Sequence, residues 1–325
     1  MILAAGLSPA WQQIVLLERF QVGEVNRARQ VQWCGSGKVL NVALALRELS
    51  RLNRQEGNPQ GHTGELSRAV ALVGGQTGDA IQREFTRMDL SARWVTARQP
   101  TRVCTTILDQ QNHTTTELVQ NAGAIEAAEL EAFRQAFVEE AATAEVVILT
   151  GSFPAGTPAT FYRELIKQTC GRLLVDAQGE PLLESLAARP FLVKPNREEL
   201  GRTLARPVDT LPRLHAAMRE LNERGAAWVV VTEGKARVWI SSASTLNSIE
   251  PPQAPVVNPI GCGDCLAAGI AVGLATGYDP PRALALGVAA AASNIQSLRP
   301  GQIDRTQVQC LEQELVGRQT SGSSG

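Results

Sequence analysis

Short apolar runs without polar alternation recur along this chain. Ala71 to Gly74, Glu145 to Thr150, Arg172 to Asp176, Phe191 to Lys194 and Trp228 to Thr232 are of this kind. Continuous runs predict strands covered on both faces. Met1 to Gly6 reads as another buried strand. Helical segments separate the runs, over 124–142, 158–169, 211–224 and 265–274. This alternation predicts an α/β domain over 1–318, with a mostly parallel sheet between helices on both faces. Ligands then sit beyond the carboxyl ends of the strands. Two stretches, 11–34 and about 93–120, alternate like half-exposed strands, with Val15, Leu17 and Phe20 in the first and Val103 to Leu108 in the second. They are expected to stand off the sheet as a small lid. Their exposed edges invite pairing between two copies, so a homodimer through the lid strands is expected. Residues 50–68 are polar with scattered glycines and predict a surface insertion, and 319–325 predict a disordered tail. No internal repeats are visible.

Charge narrows the range of partners. The 31 Lys and Arg against 32 Asp and Glu leave a net charge of −1, so no basic excess points to nucleic acid or an anionic membrane. No apolar run approaches the ~20 residues of a membrane span, and the N-terminus lacks the basic start of a signal peptide. Six scattered cysteines suggest no disulfide framework, which makes a cytoplasmic location the expectation. Cys262-Gly263-Asp264-Cys265 matches C-x-x-C, so a redox pair is one open reading. The histidines are widely separated, which argues against a His-based metal site.

The densest chemistry is Asn258-Pro259-Ile260-Gly261-Cys262-Gly263-Asp264-Cys265, followed by the apolar run Leu266 to Leu274. That order puts the amides of Gly261, Cys262 and Gly263 at a helix N-terminus, where unpaired donors and partial positive charge attract anions. Asp264 beside them is a candidate base for a hydroxyl proton. An anion cradle beside a base is what phosphoryl transfer to an alcohol requires. A simple Asp-capped turn is the plainer alternative. A second glycine turn, Gly35-Ser36-Gly37-Lys38-Val39-Leu40-Asn41, opens another helix. It is not a P-loop, because Gln32 and Val39 stand where that motif needs Gly and Ser or Thr. Lys38 and Asn41 share a helix face.

These stretches resemble the signatures of the ribokinase-like carbohydrate kinases, the PfkB family, in its 1-phosphofructokinase and tagatose-6-phosphate kinase branch. Further matches come in the family's order: Leu7 to Gln12, Gly23-Glu24-Val25-Asn26-Arg27, Thr101-Arg102, Thr150 to Gly156, Lys194-Pro195-Asn196-Arg197-Glu198-Glu199-Leu200, Val230 to Lys235 and Ala289 to Asn294. The resemblance implies a ribokinase-like α/β/α fold with a β lid, and ATP and Mg²⁺ as cofactors. It implies a small sugar or sugar phosphate as acceptor. It assigns Asp264, Gly261, Cys262 and Gly263 to catalysis. Gln12, Gly37, Lys38, Asn41, Arg27 and Arg102 are assigned to the substrate. Lys194, Asn196, Thr232, Gly234 and Asn294 are assigned to the nucleotide. Asn196 and Glu199 are expected to order the water around Mg²⁺.

Four departures matter. Gln12 replaces an aspartate that would bind sugar hydroxyls, and Val39 replaces a glycine, where a β-branched residue would resist positive φ or close ligand approach. Asn258-Pro259 replaces Asp-Thr, and Arg237 stands near a missing glycine. They leave open a kinase of an unphosphorylated sugar or nucleoside, or a non-catalytic binding relative.

Overall fold

The computed structural model describes residues 1–50 and 66–322, with side chains as far as 318. The insertion expected over 50–68 lies outside the described residues except at its ends, and its last residues, Ser67 and Arg68, already belong to a strand. The main sheet uses β1 (Ile2–Gly6), β4 (Ser67–Val73), β5 (Ala92–Thr96), β8 (Val146–Thr150), β9 (Arg172–Asp176), β10 (Leu192–Val193), β11 (Trp228–Val231), β12 (Val238–Ser241) and β13 (Leu246–Ile249). Their order is β13-β12-β11-β10-β9-β8-β1-β4-β5. Pairing is parallel from β5 across to β11 and antiparallel from there to β13.

All five residues of β1 and of β8 are buried. Alternate side chains feed two separate cores. Leu3, Ala5 and Leu149 pack on one side of the sheet, and Ile2, Ala4 and Ile148 on the other. This is why the strands read as unbroken apolar runs: both faces are covered. The helices Ala127–Ala141, Phe161–Ile166, Leu211–Glu223 and Cys262–Ala275 fall where the helical segments were predicted. The last helix, Arg305–Gly322, continues into the segment expected as a tail. Among the described residues no helix is long and apolar enough to cross a membrane.

The second sheet is four-stranded, in the order β3-β2-β6-β7. It comprises β2 (Ala10–Leu17), β3 (Gln30–Ser36), β6 (Val103–Asp109) and β7 (Thr114–Val119). In β2 the buried Ala10, Gln12 and Ile14 alternate with the half-buried Trp11, Gln13 and Val15, the pattern of a sheet with one face on the protein. The lid expected from about 93 therefore begins later, because Ala92–Thr96 is β5, the edge of the main sheet. An edge strand is covered incompletely, so it alternates as a lid strand does.

Candidate active site

A cleft of ≈ 2250 Å³ lies between the inner face of the lid and the carboxyl ends of β9, β10 and β11. A pocket for one small ligand is usually ~300–1,000 Å³, so this cleft has room for more than one. Asp176, Lys194 and Thr232, at or just past those strand ends, all line it.

The turn at Gly261 forms as the sequence predicts. Gly261 caps the Cys262–Ala275 helix with φ of 85°, a left-handed conformation that only glycine adopts without strain. A Cβ there would also meet Pro300 Cβ at 3.0 Å. The Gly261 carbonyl accepts from the amides of Asp264 (3.1 Å) and Cys265 (2.9 Å). Asp264 lies on the first turn and is 6% exposed, and it lines the cleft. Burial pushes its carboxyl up to about 7, with Asp176 adding to the rise while Lys38, Asn41 and Lys194 oppose it. A carboxylate tuned near neutrality suits a general base.

Asn41 Nδ2 donates to Asp264 Oδ2 at 2.7 Å, and Ser36 Oγ donates to Asn41 Oδ1 at 3.0 Å. Asn41 thus orients the Asp264 carboxyl as well as lining the cleft. Gly37 supports it: its φ is 84° and a Cβ would lie 3.0 Å from Ser8 O. Its carbonyl accepts from the amides of Leu40 and Asn41, both at 3.0 Å. Val39 does not disturb the turn. It sits inside the Lys38–Ser50 helix and is 1% exposed, so it packs in the core and the positive φ belongs to Gly37 alone.

The sequence reading missed Asp176. It is 1% exposed, yet bridges two lysines, with Oδ1 2.9 Å from Lys38 Nζ and Oδ2 3.2 Å from Lys194 Nζ. Burial pushes its carboxyl up, but the two lysines outweigh that and hold it low. Burial likewise pulls Lys38 down, but Asp176, Glu199 and Asp264 outweigh it and keep Lys38 firmly charged. The available signal was an aspartate ending the apolar run Arg172 to Asp176, at the edge where ligands bind. A Cβ built on Gly263 would lie 3.4 Å from Lys194 Nζ. An ammonium and a helix N-terminus, both positive, therefore converge on one cleft wall, and an anion satisfies both.

Asn196 and Glu199 form a reciprocal capping box. Asn196 Oδ1 accepts from the Glu199 amide and Glu199 Oε2 from the Asn196 amide, both at 2.8 Å. That leaves Glu199 Oε1, 3.7 Å from Lys38 Nζ, on the cleft wall. Thr232 and Gly234 also line the cleft, and Asn294 does not. Asn294 is fully buried, with Nδ2 donating to Ile260 O (2.9 Å) and Cys262 Sγ (3.4 Å) and Oδ1 accepting from the Gly301 amide. It braces the Gly261 turn from behind and does not face the cleft. Asn258 does similar work, donating to Leu298 O at 2.8 Å. The apolar lining falls to Val288, Ala291, Ala292 and Ile295, on or just past the late helix singled out from its alanines.

On the lid side, Gln12 and Arg102 line the cleft and Arg27 does not. Arg27 is exposed in the loop between β2 and β3, outside the lining of the cleft. Arg102 donates to the carbonyls of Pro9, Ser8 and Gln120 at 3.2–3.3 Å, which fixes the guanidinium at the lid's root. The thiols are poorly suited to redox chemistry: burial pushes Cys262 up to about 11 and Cys265 well above its ordinary range.

A model of the pfkB family carbohydrate kinases matches residues 11–305. Solved structures that share the fold include the following three. Phosphofructokinase-2 from Escherichia coli, in a tetrameric inhibited form, superposes with a TM-score of 0.84 at 21% identity, over 97% of this chain and 99% of that one. A possible 1-phosphofructokinase from Thermotoga maritima gives 0.83 at 20% identity, over 96% and 97%. Ribokinase from Thermotoga maritima gives 0.74 at 18% identity, over 96% and 99%.

Proposed function

The chain belongs to the pfkB family of carbohydrate kinases, and from that premise we propose that it transfers the γ-phosphoryl group of ATP to a hydroxyl of a sugar phosphate. The observation that carries this is the pairing of a near-neutral buried base, Asp264, with a positive cleft wall at Gly263 and Lys194. The cleft's volume suits a nucleotide and a sugar together.

In this scheme Asp264 takes the proton of the acceptor hydroxyl. The freed oxygen forms a bond to the γ-phosphorus as the bond from phosphorus to the β–γ bridging oxygen breaks, leaving ADP. The amides of Gly261, Cys262 and Gly263 and the ammonium of Lys194 stabilise charge on the moving group. Asp176 holds Lys194 and Lys38 in place, and Asn41 aims the base. Magnesium usually keeps several waters and takes few direct carboxylates. Glu199, with one oxygen outside the capping box, and Asn196 fit that kind of hydrated binding. The ion would neutralise phosphate charge there.

Arg102 at the lid's root favours an acceptor that carries its own phosphate. Phosphofructokinase-2 has been solved with fructose 6-phosphate, which makes fructose and tagatose phosphates the first acceptors to try. The uncharged Gln12 keeps an unphosphorylated sugar as the second reading. A homodimer through the lid accords with its exposed apolar residues Val31, Trp33 and Leu118. A cytoplasmic place of action accords with six unpaired cysteines. The test is ADP release from MgATP with fructose 1-phosphate, fructose 6-phosphate, tagatose 6-phosphate and fructose. Turnover of a phosphorylated sugar is expected. Turnover of fructose alone selects the second reading, and turnover of none ends both.

A further inference from the structure

The inner face of the lid carries a carboxylate that the scheme above leaves without a task. Register pairs Ile14 with Thr106 and Thr106 with Glu117. Directly opposed residues share a face, so Glu117 points to the same side as Gln12, and both line the cleft. The other lid carboxylate there, Asp109, is fully used: it accepts from the Phe20 amide (2.9 Å), the Asn112 amide (3.0 Å) and Asn112 Nδ2 (2.8 Å). Among the described residues the Glu117 side chain makes no hydrogen bond or ion pair. Glu117 is exposed on β7, yet its surroundings in the cleft push its carboxyl up by partial desolvation, with Arg102 opposing. Gln12 Nε2 donates to Thr106 Oγ1 at 2.8 Å, and Gln12 Oε1 has no donor among the described residues.

Two acceptors therefore face the cleft, one neutral and one anionic. Hydroxyl groups satisfy acceptors, and a carboxylate repels phosphate. Arg102 lies four residues before Thr106 along the same strand line, roughly 13 Å at ~3.3 Å per residue, which leaves room for a hexose between the two ends. We propose that Glu117 is a specificity-determining residue: it binds hydroxyls of the acceptor sugar and excludes the sugar's phosphate from the β7 side of the cleft. It supplies the carboxylate that position 12 lacks.

This rests on the cleft being a sugar-phosphate kinase site. The test compares wild type, Glu117→Gln and Glu117→Asp by steady-state kinetics with the four acceptors named above. A charged hydrogen bond to substrate predicts a sugar KM about 10- to 100-fold higher in Glu117→Gln, with kcat and the KM for ATP within about two-fold. Adding Gln12→Asp to Glu117→Gln is expected to recover at least about three-fold of that loss by returning a carboxylate to the same face. A sugar KM within about two-fold of wild type in Glu117→Gln overturns the assignment while leaving the kinase reading intact. Equal losses in the sugar and ATP terms overturn it as well, because they indicate a general disturbance of the lid. No turnover by wild type overturns the kinase reading and the assignment with it.

Discussion

Asn41 Nδ2 lies 2.7 Å from Asp264 Oδ2, so a side chain on the first glycine turn aims the proposed base on the second. The hydrogen bond favours the charged carboxylate and opposes the rise that burial causes. Asn41→Ala should push Asp264 above its present value of about 7. In the pH profile of kcat/KM, the acid limb should move to higher pH, with activity lost near neutrality and partly regained in alkaline buffer. An unshifted acid limb would show that Asp264 is not the group being titrated.

Asp264 also sets activity against stability. Its folded carboxyl titrates at about 7 against an ordinary 3.8. Between those values the folded chain keeps the proton and the unfolded chain loses it, so stability falls as pH rises through this window and the penalty is complete above about 7. At 1.36 kcal/mol per unit, the penalty is at most ~4 kcal/mol. Asp264→Asn removes the charge and should lower kcat by roughly 10²–10⁴. The same variant should melt higher than wild type at about pH 8, with a smaller gain at about pH 5. Wild-type turnover in this variant would remove Asp264 from the mechanism.

Asp176 has the opposite character. Replacing it with Asn leaves the buried Lys194 and the partly exposed Lys38 without their shared partner; breaking a fully buried pair costs about 3–5 kcal/mol, and the exposure of Lys38 makes the loss here smaller. Urea unfolding should register it. Where Asp176→Asn still folds, its acid limb should move to lower pH, because the carboxylate that raised Asp264 is gone. This shift is opposite in sign to that of Asn41→Ala, so the two variants check each other.

Much of this was legible in the sequence, for identifiable reasons. Buried parallel strands must be apolar throughout, so β1, β8 and β9 announced themselves. Positive φ favours glycine, so Gly37 and Gly261 marked both turns. What escaped depends on contacts between residues distant in the chain. Asp176 gains its role only when Lys38 and Lys194 arrive from two other segments. Asn294 looked like a ligand residue at the end of a small-residue helix, yet it folds back onto Ile260 and Gly301. Glu117 sits in a strand of ordinary lid pattern, and only the β6–β7 register turns it to the cleft.

The C-x-x-C pair makes a chemical prediction. Thiolates are the reactive form, and burial keeps Cys262 and Cys265 protonated near neutrality. Iodoacetamide at about pH 7.5 should label the exposed Cys170 and Cys310 well before either. Cys262→Ala, which leaves the backbone amide in place, should keep kcat within about five-fold. Rapid labelling of Cys262, or kinase activity that tracks dithiothreitol, would restore the redox reading.

The outer face of the lid makes the last prediction. Trp33 stacks on Trp11 with ring centroids 6.2 Å apart, yet remains 44% exposed. Val31 follows on the same strand and face, at 46%. The register carries this face from Trp33 to Gln13, on to Thr105 and then to Leu118. The adjacent row on that face pairs Val31 with Val15 and Val15 with Ile107, so apolar residues flank the polar Gln13 and Thr105 on the side away from the cleft, and exposed patches of this kind mark association sites. A second copy placed face to face would cover them and leave the inner face free for the sugar. Val31→Glu with Trp33→Glu places like charges across such an interface. Light scattering at about 10 μM should show a dimer for wild type and a monomer for the double variant, with unchanged circular dichroism. A monomeric wild type at that concentration would exclude the lid as the dimer contact.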